Sequence, residues 1–316
     1  MSDLRRAVAT VLRDCLGVKP GETVLVVCDP DKRTLADAIV ADARDMSTDA
    51  ILAEMPERES HGTEPPDAVA QAMLFCDVVV APTTKSLSHT EARHRASEKG
   101  ARVATMPGIT EDMLVRTMSA DYAQVGRRSH ALAQLITEGN EITITSAAGT
   151  DVAISIAGRK GLADDGDLTA RGAFGNLPAG EGFVAPVEGA TQGRIVFDGS
   201  IWPIGRLEDP LVVEIEDGYA TSLSGRDAPE FEDLLRRYGR DAYAVAELGI
   251  GTNEAATLTG HVLEDEKILG TVHVAFGDNH TFGGAIRVPS HQDGVVLRPT
   301  VRIDDRVVLE DGHLAL

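Results

Sequence analysis

The sequence predicts an α/β protein: an N-terminal open parallel-sheet domain, followed by an α+β domain built on an antiparallel sheet. Two observations predict this. In the N-terminal region, short apolar runs alternate with segments of helical period, the pattern of a parallel sheet with right-handed crossovers. From about residue 140 the texture changes to alternating apolar and polar residues around tight turns, the mark of antiparallel strands. The boundary is placed so that residues 1–135 form the first domain and 136–316 the second.

Leu4, Val8, Val11, Leu12 and Cys15 recur at helical spacing, so the chain opens with an amphipathic helix that "GVKPGE" ends. "TVLVVCD" is a continuous apolar run of the kind that makes a strand buried on both faces. "KRTLADAIVADARDM" follows as a helix, "DAILAEM" as a second strand, "PPDAVAQAML" as a helix and "CDVVVAPTT" as a third strand. "HTEARHRASEKG" is a helix closed by Gly100, and "ARVATMPG" is the fourth strand. No G-x-G-x-x-G follows the first strand and no P-loop is present, so a nucleotide site is not indicated. "DPD" at residues 29–31 stands where a ligand could meet the C-terminal end of a strand, and otherwise reads as the cap of the next helix. "HALAQLITEGN" joins the domains as a helix, and "NEITITSAAGTDVAISIAGRK" is a hairpin around "AAGT". Later segments keep the β pattern, with one helix at "APEFEDLLRRYG".

At 316 residues, 43% of them hydrophobic and 25% charged, the chain has the composition of an ordinary globular protein of two domains. Acidic residues outnumber basic ones 50 to 30, for a formal charge of −20. Nucleic acid and anionic membranes are therefore not expected partners, because phosphate contacts need clustered Lys and Arg. No apolar run reaches the ~18 residues of a membrane span. The first residues, "MSDLRRAVATVLRD", carry charges where a secretory signal needs an apolar stretch. Cys15, Cys28 and Cys76 sit in apolar settings without a C-x-x-C pair, as reduced core residues do. A cytoplasmic protein is expected.

Chemistry concentrates in the C-terminal half. Glu181 lies in "NLPAGEGFVAPVEG", Glu247 in "AELGIGTN", His273 in "DEKILGTVHVAFGD", and His291 with Asp293 in "PSHQDG". His291 and Asp293, two apart in an extended segment, point the same way and can grip one ion or hydrogen-bond each other. His273 faces away from Val272 and Val274, toward solvent or toward a site. None of these forms a local metal motif, so any site must be assembled from several strands and loops. As a set they suit two divalent cations, with a glutamate bridging the ions around a hydroxide.

Taken in order, "NLPAGEGFVAPVEGATQGRIVFDGSI", "AELGIGTNEAA", "EDEKILGTVHVAFGD" and "PSHQDGVV" resemble the C-terminal motifs of the aminopeptidase T/AmpS-type metallopeptidases. The resemblance covers residues 176–296 strongly and the first domain weakly. It implies that Glu181, Glu247, His273, His291 and Asp293 bind one or two divalent ions (Zn, Co or Mn), with Glu247 bridging. It also implies a homodimer acting on a short peptide or other small molecule, releasing an N-terminal residue with a metal-bound hydroxide. One departure stands out: the peptidases carry a tyrosine seven residues after the histidine ligand, and this chain has His280. A histidine can donate to an oxyanion or move a proton.

The same superfamily holds Fe(II) enzymes of the 2,5-dihydroxypyridine dioxygenase type, which are nearer this length and use two His and one Asp as a facial triad. Similarity to them makes His273, His291 and Asp293 the triad. "TKSLSHTEARHRASEKGARVATMPG" resembles the region where those enzymes place an acid/base histidine, which implies His89 in that role. The leading expectation is a metal-dependent aminopeptidase-type hydrolase, with His280 or His89 supplying a proton to the leaving amine. The alternative is a ring-cleaving dioxygenase.

Overall fold

In the computed structural model, which describes residues 2–46 and 48–316, the four apolar runs of the N-terminal region are parallel strands. Their order is Asp49–Glu54, Thr23–Cys28, Val78–Thr83, Arg102–Pro107, with Phe174–Asn176 added at the edge. Val78–Thr83 is buried at every position and Thr23–Cys28 at all but the first, which is why neither shows polar alternation. Between them, the Arg33–Asp45 helix turns Leu35, Ala36, Ile39, Val40 and Ala43 inward. Thr90 caps the Glu91–Lys99 helix by accepting from the Arg93 amide, and Gly100, at φ 105°, closes it in the left-handed conformation that glycine adopts without strain. The first helix runs Asp3–Ala9 and passes into a π-helical turn over Thr10–Cys15, keeping Val8, Val11, Leu12 and Cys15 buried.

Two features differ from the sequence expectation. Asp29 makes no side-chain bond to the helical turn that follows it. Its carboxylate instead reaches across the sheet, accepting from the Thr84 amide at 2.5 Å and the Thr84 hydroxyl at 3.1 Å. The chain also divides into two units at other points than residue 135. The first unit takes the chain up to Tyr122 together with Gly166–Ala179, and the second takes Ala123–Asp165 with Gly180–Leu316. The cause is a three-residue ladder, Phe174–Asn176 against Val103–Thr105, which returns a short segment to the parallel sheet. Most of the Tyr122–Glu138 helix joins the second unit, with Leu132 and Ile136 in that unit's core.

Two antiparallel sheets build the second unit, one of eight strands and one of seven. Val152, Ile154, Ile195 and Val213 from the first sheet share one apolar cluster with Val184, Leu248, Ile250, Val272, Val274 and Val296 from the second. Phe276 sits at its centre, edge-on to Phe197 at 6.3 Å and to Phe231 at 6.0 Å. Among the described residues no helix is long and apolar enough to cross a membrane.

Phe276 is fully buried between two aromatic rings. Phe276→Ala is therefore expected to lower unfolding free energy by about 3–5 kcal/mol through lost burial and an unfilled cavity. Denaturant titration checks this, and a loss below about 1 kcal/mol would contradict the assigned core position.

Candidate metal centre

The seven-stranded sheet sorts its side chains by parity. Leu248, Ile250, Val272, Val274 and Phe276 face the apolar core, and the alternate positions face the other way. On that second face four adjacent strands, Glu181–Val184, Val245–Gly251, Val272–Gly277 and His291–Val296, present Glu181, Glu247, His273, His291 and Asp293. Backbone pairing sets them in register: Glu181 opposes Gly251, His273 opposes Gly249, Glu247 opposes Ala275, and Asp293 opposes Ala275 from the other side. A bulge between Val245 and Glu247 lets both conditions hold at once. Val245 stays in the core, while one extra residue turns Glu247 onto the polar face.

The structure thus brings together all five ligands expected from the sequence. His273 Nε2 lies 2.9 Å from Glu181 Oε2 and 3.5 Å from Glu247 Oε1. His291 Nε2 lies 3.3 Å from Glu247 Oε2 and 3.5 Å from Asp293 Oδ1. The ligand atoms of Glu181, Glu247 and His273 fall within 4.8 Å of one another, as do those of Glu266, His273 and Asp293. Gly249 has no side chain because there is no room for one: a Cβ would stand 2.1–2.2 Å from the His273 ring.

Two further observations fit a cation. His273 is fully buried, yet neither ring nitrogen has a hydrogen-bond partner among the described residues, and Glu181 Oε2 has none either. Such close atoms without hydrogen-bond alignment are what a shared ion would satisfy. His291 donates from Nδ1 to the Asp278 carbonyl at 2.8 Å, which fixes the ring's orientation and turns Nε2 toward the two carboxylates, the nitrogen that would ligate an ion once deprotonated.

Charges in the cluster are strongly coupled. Burial pushes Glu181 up, but the Lys267 ammonium and the His273 imidazole overcome it and hold the carboxyl at about 2. Glu247 is likewise raised by burial and drawn below its ordinary value by His273 and His291. Glu266 is raised by burial to about 8 despite Lys267. Against the opposing effect of burial, Glu181 lifts His273 well above 6.5, and Asp293 does the same for His291.

Glu266, Lys267 and Asp164 are members of the cluster that sequence reasoning missed. "DEK" reads as a surface charge run, and the one available signal was its position just before "ILGTVH". His280 stands outside the groups of mutually close ligand atoms, paired to the Asp278 carboxylate at 2.7 Å and over a third exposed. His89 belongs to the first unit, exposed in the turn just before Thr90.

Comparisons with known proteins bear on the family and the fold. The sequence matches the NicX family, 2,5-dihydroxypyridine 5,6-dioxygenase, over residues 3–316. Among solved structures, the chain is similar to the 2,5-dihydroxypyridine dioxygenase of Pseudomonas putida KT2440. That match has a TM-score of 0.86 and 20% identity, covering 100% of this chain and 98% of that one. It is also similar to AmpT from Thermus thermophilus, with a TM-score of 0.73, 14% identity and 99% of each chain covered. A search of curated proteins by sequence gives no match. The superfamily expected from the motifs is the one found, and the dioxygenase branch matches better than the peptidase branch.

Gly249→Ala is expected to displace the His273 ring and weaken divalent-ion affinity by at least about tenfold, the scale of outer-sphere ligand changes. Calorimetric titration with Mn(II) checks this, and unchanged affinity would contradict it. Protonation gives a second outcome. His273, His291 and Glu266 bind protons more tightly folded than unfolded, so their contributions are complete below the unfolded values and fade as pH rises through the folded ones. Glu181 acts oppositely, its contribution complete above 4.5 and lost only as pH falls toward 2. Chelated protein should therefore lose thermal stability from about pH 6.5 to 8. Added Mn(II) should raise the melting midpoint more at about pH 8 than at about pH 6, because ligation needs deprotonated side chains. The opposite ordering would count against metal binding here.

Proposed function

Since the chain belongs to the NicX family of 2,5-dihydroxypyridine 5,6-dioxygenases, we propose that it is a non-haem Fe(II) dioxygenase that opens a hydroxylated heteroaromatic ring, with His273, His291 and Asp293 as the ligands. The observation that carries this reading is the two imidazoles and the aspartate on one sheet face, with His291 oriented by the Asp278 carbonyl. His273, His291 and Asp293 would hold the ion, and Fe(II) bound there would supply one-electron chemistry toward dioxygen.

The chain's own residues have separate tasks. Asp278 fixes the ring of His291 through its carbonyl, and its carboxylate accepts from the Val288 amide at 3.2 Å, which anchors the loop preceding that histidine. Glu247 lies between the two imidazoles and is held ionised, so it can orient a substrate hydroxyl by accepting its hydrogen bond. Phe282 stands edge-on to both His291, at 6.0 Å, and Phe183, at 5.9 Å, giving the centre an aromatic wall suited to a flat ring.

The hydrolase reading keeps one specific support: Glu181, Glu247 and Glu266 lie at the centre, more carboxylates than a mononuclear facial triad requires. The two readings separate experimentally. Anaerobic loading with Fe(II), followed by air, is expected to give one equivalent of oxygen consumed per 2,5-dihydroxypyridine. His273→Ala and Asp293→Ala should each reduce the rate by at least about 10²-fold, the upper end of outer-sphere effects. An oxygen electrode and ring absorbance measure both. No uptake across hydroxypyridines, together with Zn-, Co- or Mn-dependent release of an N-terminal residue, would replace this reading with the hydrolase.

A further inference from the structure

Beside the candidate ligands lies a buried lysine whose ammonium meets three carboxylates. The Lys267 ammonium is 2% exposed and lies 2.5 Å from Glu181 Oε1, 2.8 Å from Glu266 Oε1 and 3.2 Å from Asp164 Oδ2. We infer that Lys267 is a built-in cation occupying the place of a second divalent ion, and that it limits this centre to one. The inference rests on the metal reading above.

Glu181 divides its two oxygens. Oε1 meets the ammonium, and Oε2 turns toward His273 Nε2 at 2.9 Å. Glu266 also has an oxygen on the ammonium while contributing to the His273–Asp293 group. An ion held through Glu181 Oε1 and Glu266 Oε1 together would stand where Lys267 Nζ stands. The lysine therefore uses the carboxylate oxygens that a two-ion site would need, and its positive charge opposes a divalent neighbour at contact range. Glu181 and Glu266 then act on the single ion from its periphery.

The backbone holds Lys267 in place. The Asn253 amide donates to the Lys267 carbonyl at 2.9 Å, the Leu269 amide donates to the Asn253 carbonyl at 3.0 Å, and the Lys267 amide donates to the Glu264 carbonyl at 2.9 Å. Gly251 makes this approach possible, because a Cβ there would stand 2.0 Å from the Ile268 carbonyl oxygen. "E-x-G-x-G-x-N" thus becomes readable residue by residue. Glu247 faces the cluster, Gly249 clears the His273 ring, Gly251 admits the lysine segment and Asn253 pins it.

Metal counting on the full-length protein tests the inference. After equilibration with excess Mn(II) and removal of free ion, elemental analysis and native mass spectrometry should give one Mn per wild-type chain. Lys267→Arg should also bind one. Lys267→Gln, checked for folding by circular dichroism, should bind two and show the exchange-coupled spectrum of a Mn pair in electron paramagnetic resonance. Two ions in the wild type or in Lys267→Arg would overturn the inference while leaving a metal centre intact, and so would a folded Lys267→Gln that binds one. No ion in the wild type would remove the metal reading as well. Should Lys267→Gln fail to fold, Lys267→Met, which keeps the side-chain length without the charge, is counted in its place, and one ion there overturns the inference.

Discussion

Carboxylates held out of water against positive charge are the constraint around which the second unit is arranged. Glu181, Glu247 and Asp293 are nearly inaccessible, and desolvation acts to raise both glutamates. Ionised carboxylates in such surroundings persist only where cations and donors compensate them. Lys267 and the two imidazoles supply part of that compensation. The incompleteness is visible in His273, whose two ring nitrogens lack hydrogen-bond partners among the described residues although the ring is fully buried. A protein evolved for stability alone would satisfy or replace such a group.

Sheet geometry is the means by which this cluster is tolerated. One face of these four strands is apolar but for Gln292, which opposes Phe276, and packs into the main core, so the cost of the polar face is carried by a well-buried scaffold. The polar face alternates large ionisable side chains with Gly249, Gly251, Ala275 and Gly277, which leaves room for imidazole rings and a crossing backbone. A single bulge beside Glu247 keeps Val245 in the core without moving the glutamate off the site. Sites built this way on strands hold their geometry more tightly than sites carried on loops.

One scaffold serves two chemistries among its relatives, and the difference must lie in the site, since fold alone does not determine function. The five candidate ligands on the sheet suit either. Two local features of this chain bear on the difference: His280, tied to Asp278, where the resemblance to the peptidases implies a tyrosine, and a lysine drawn into the carboxylate cluster. A charge that belongs to the protein is fixed in place, whereas an exchangeable ion depends on supply. Replacing one by the other changes how many ions the centre takes without altering its outline.

Much of this was legible in the sequence. Buried parallel strands announce themselves as unbroken apolar runs, the hairpin announces itself by alternation around "AAGT", and four ordered motifs named the five candidate ligands. Those signals are local, because strand period and turn chemistry act over a few residues. The contributions of Glu266, Lys267 and Asp164 were not legible. A lysine between acids looks solvated until the fold brings Glu181, 86 residues earlier in the chain, against its ammonium. The return of Phe174–Asn176 to the parallel sheet was hidden for the same reason, since three residues carry no periodicity. The sequence by itself determined which residues can bind a cation and which faces of which strands are apolar. Tertiary structure alone decided which charges meet, because burial and distance between remote segments, rather than residue type, set the strength of their interaction.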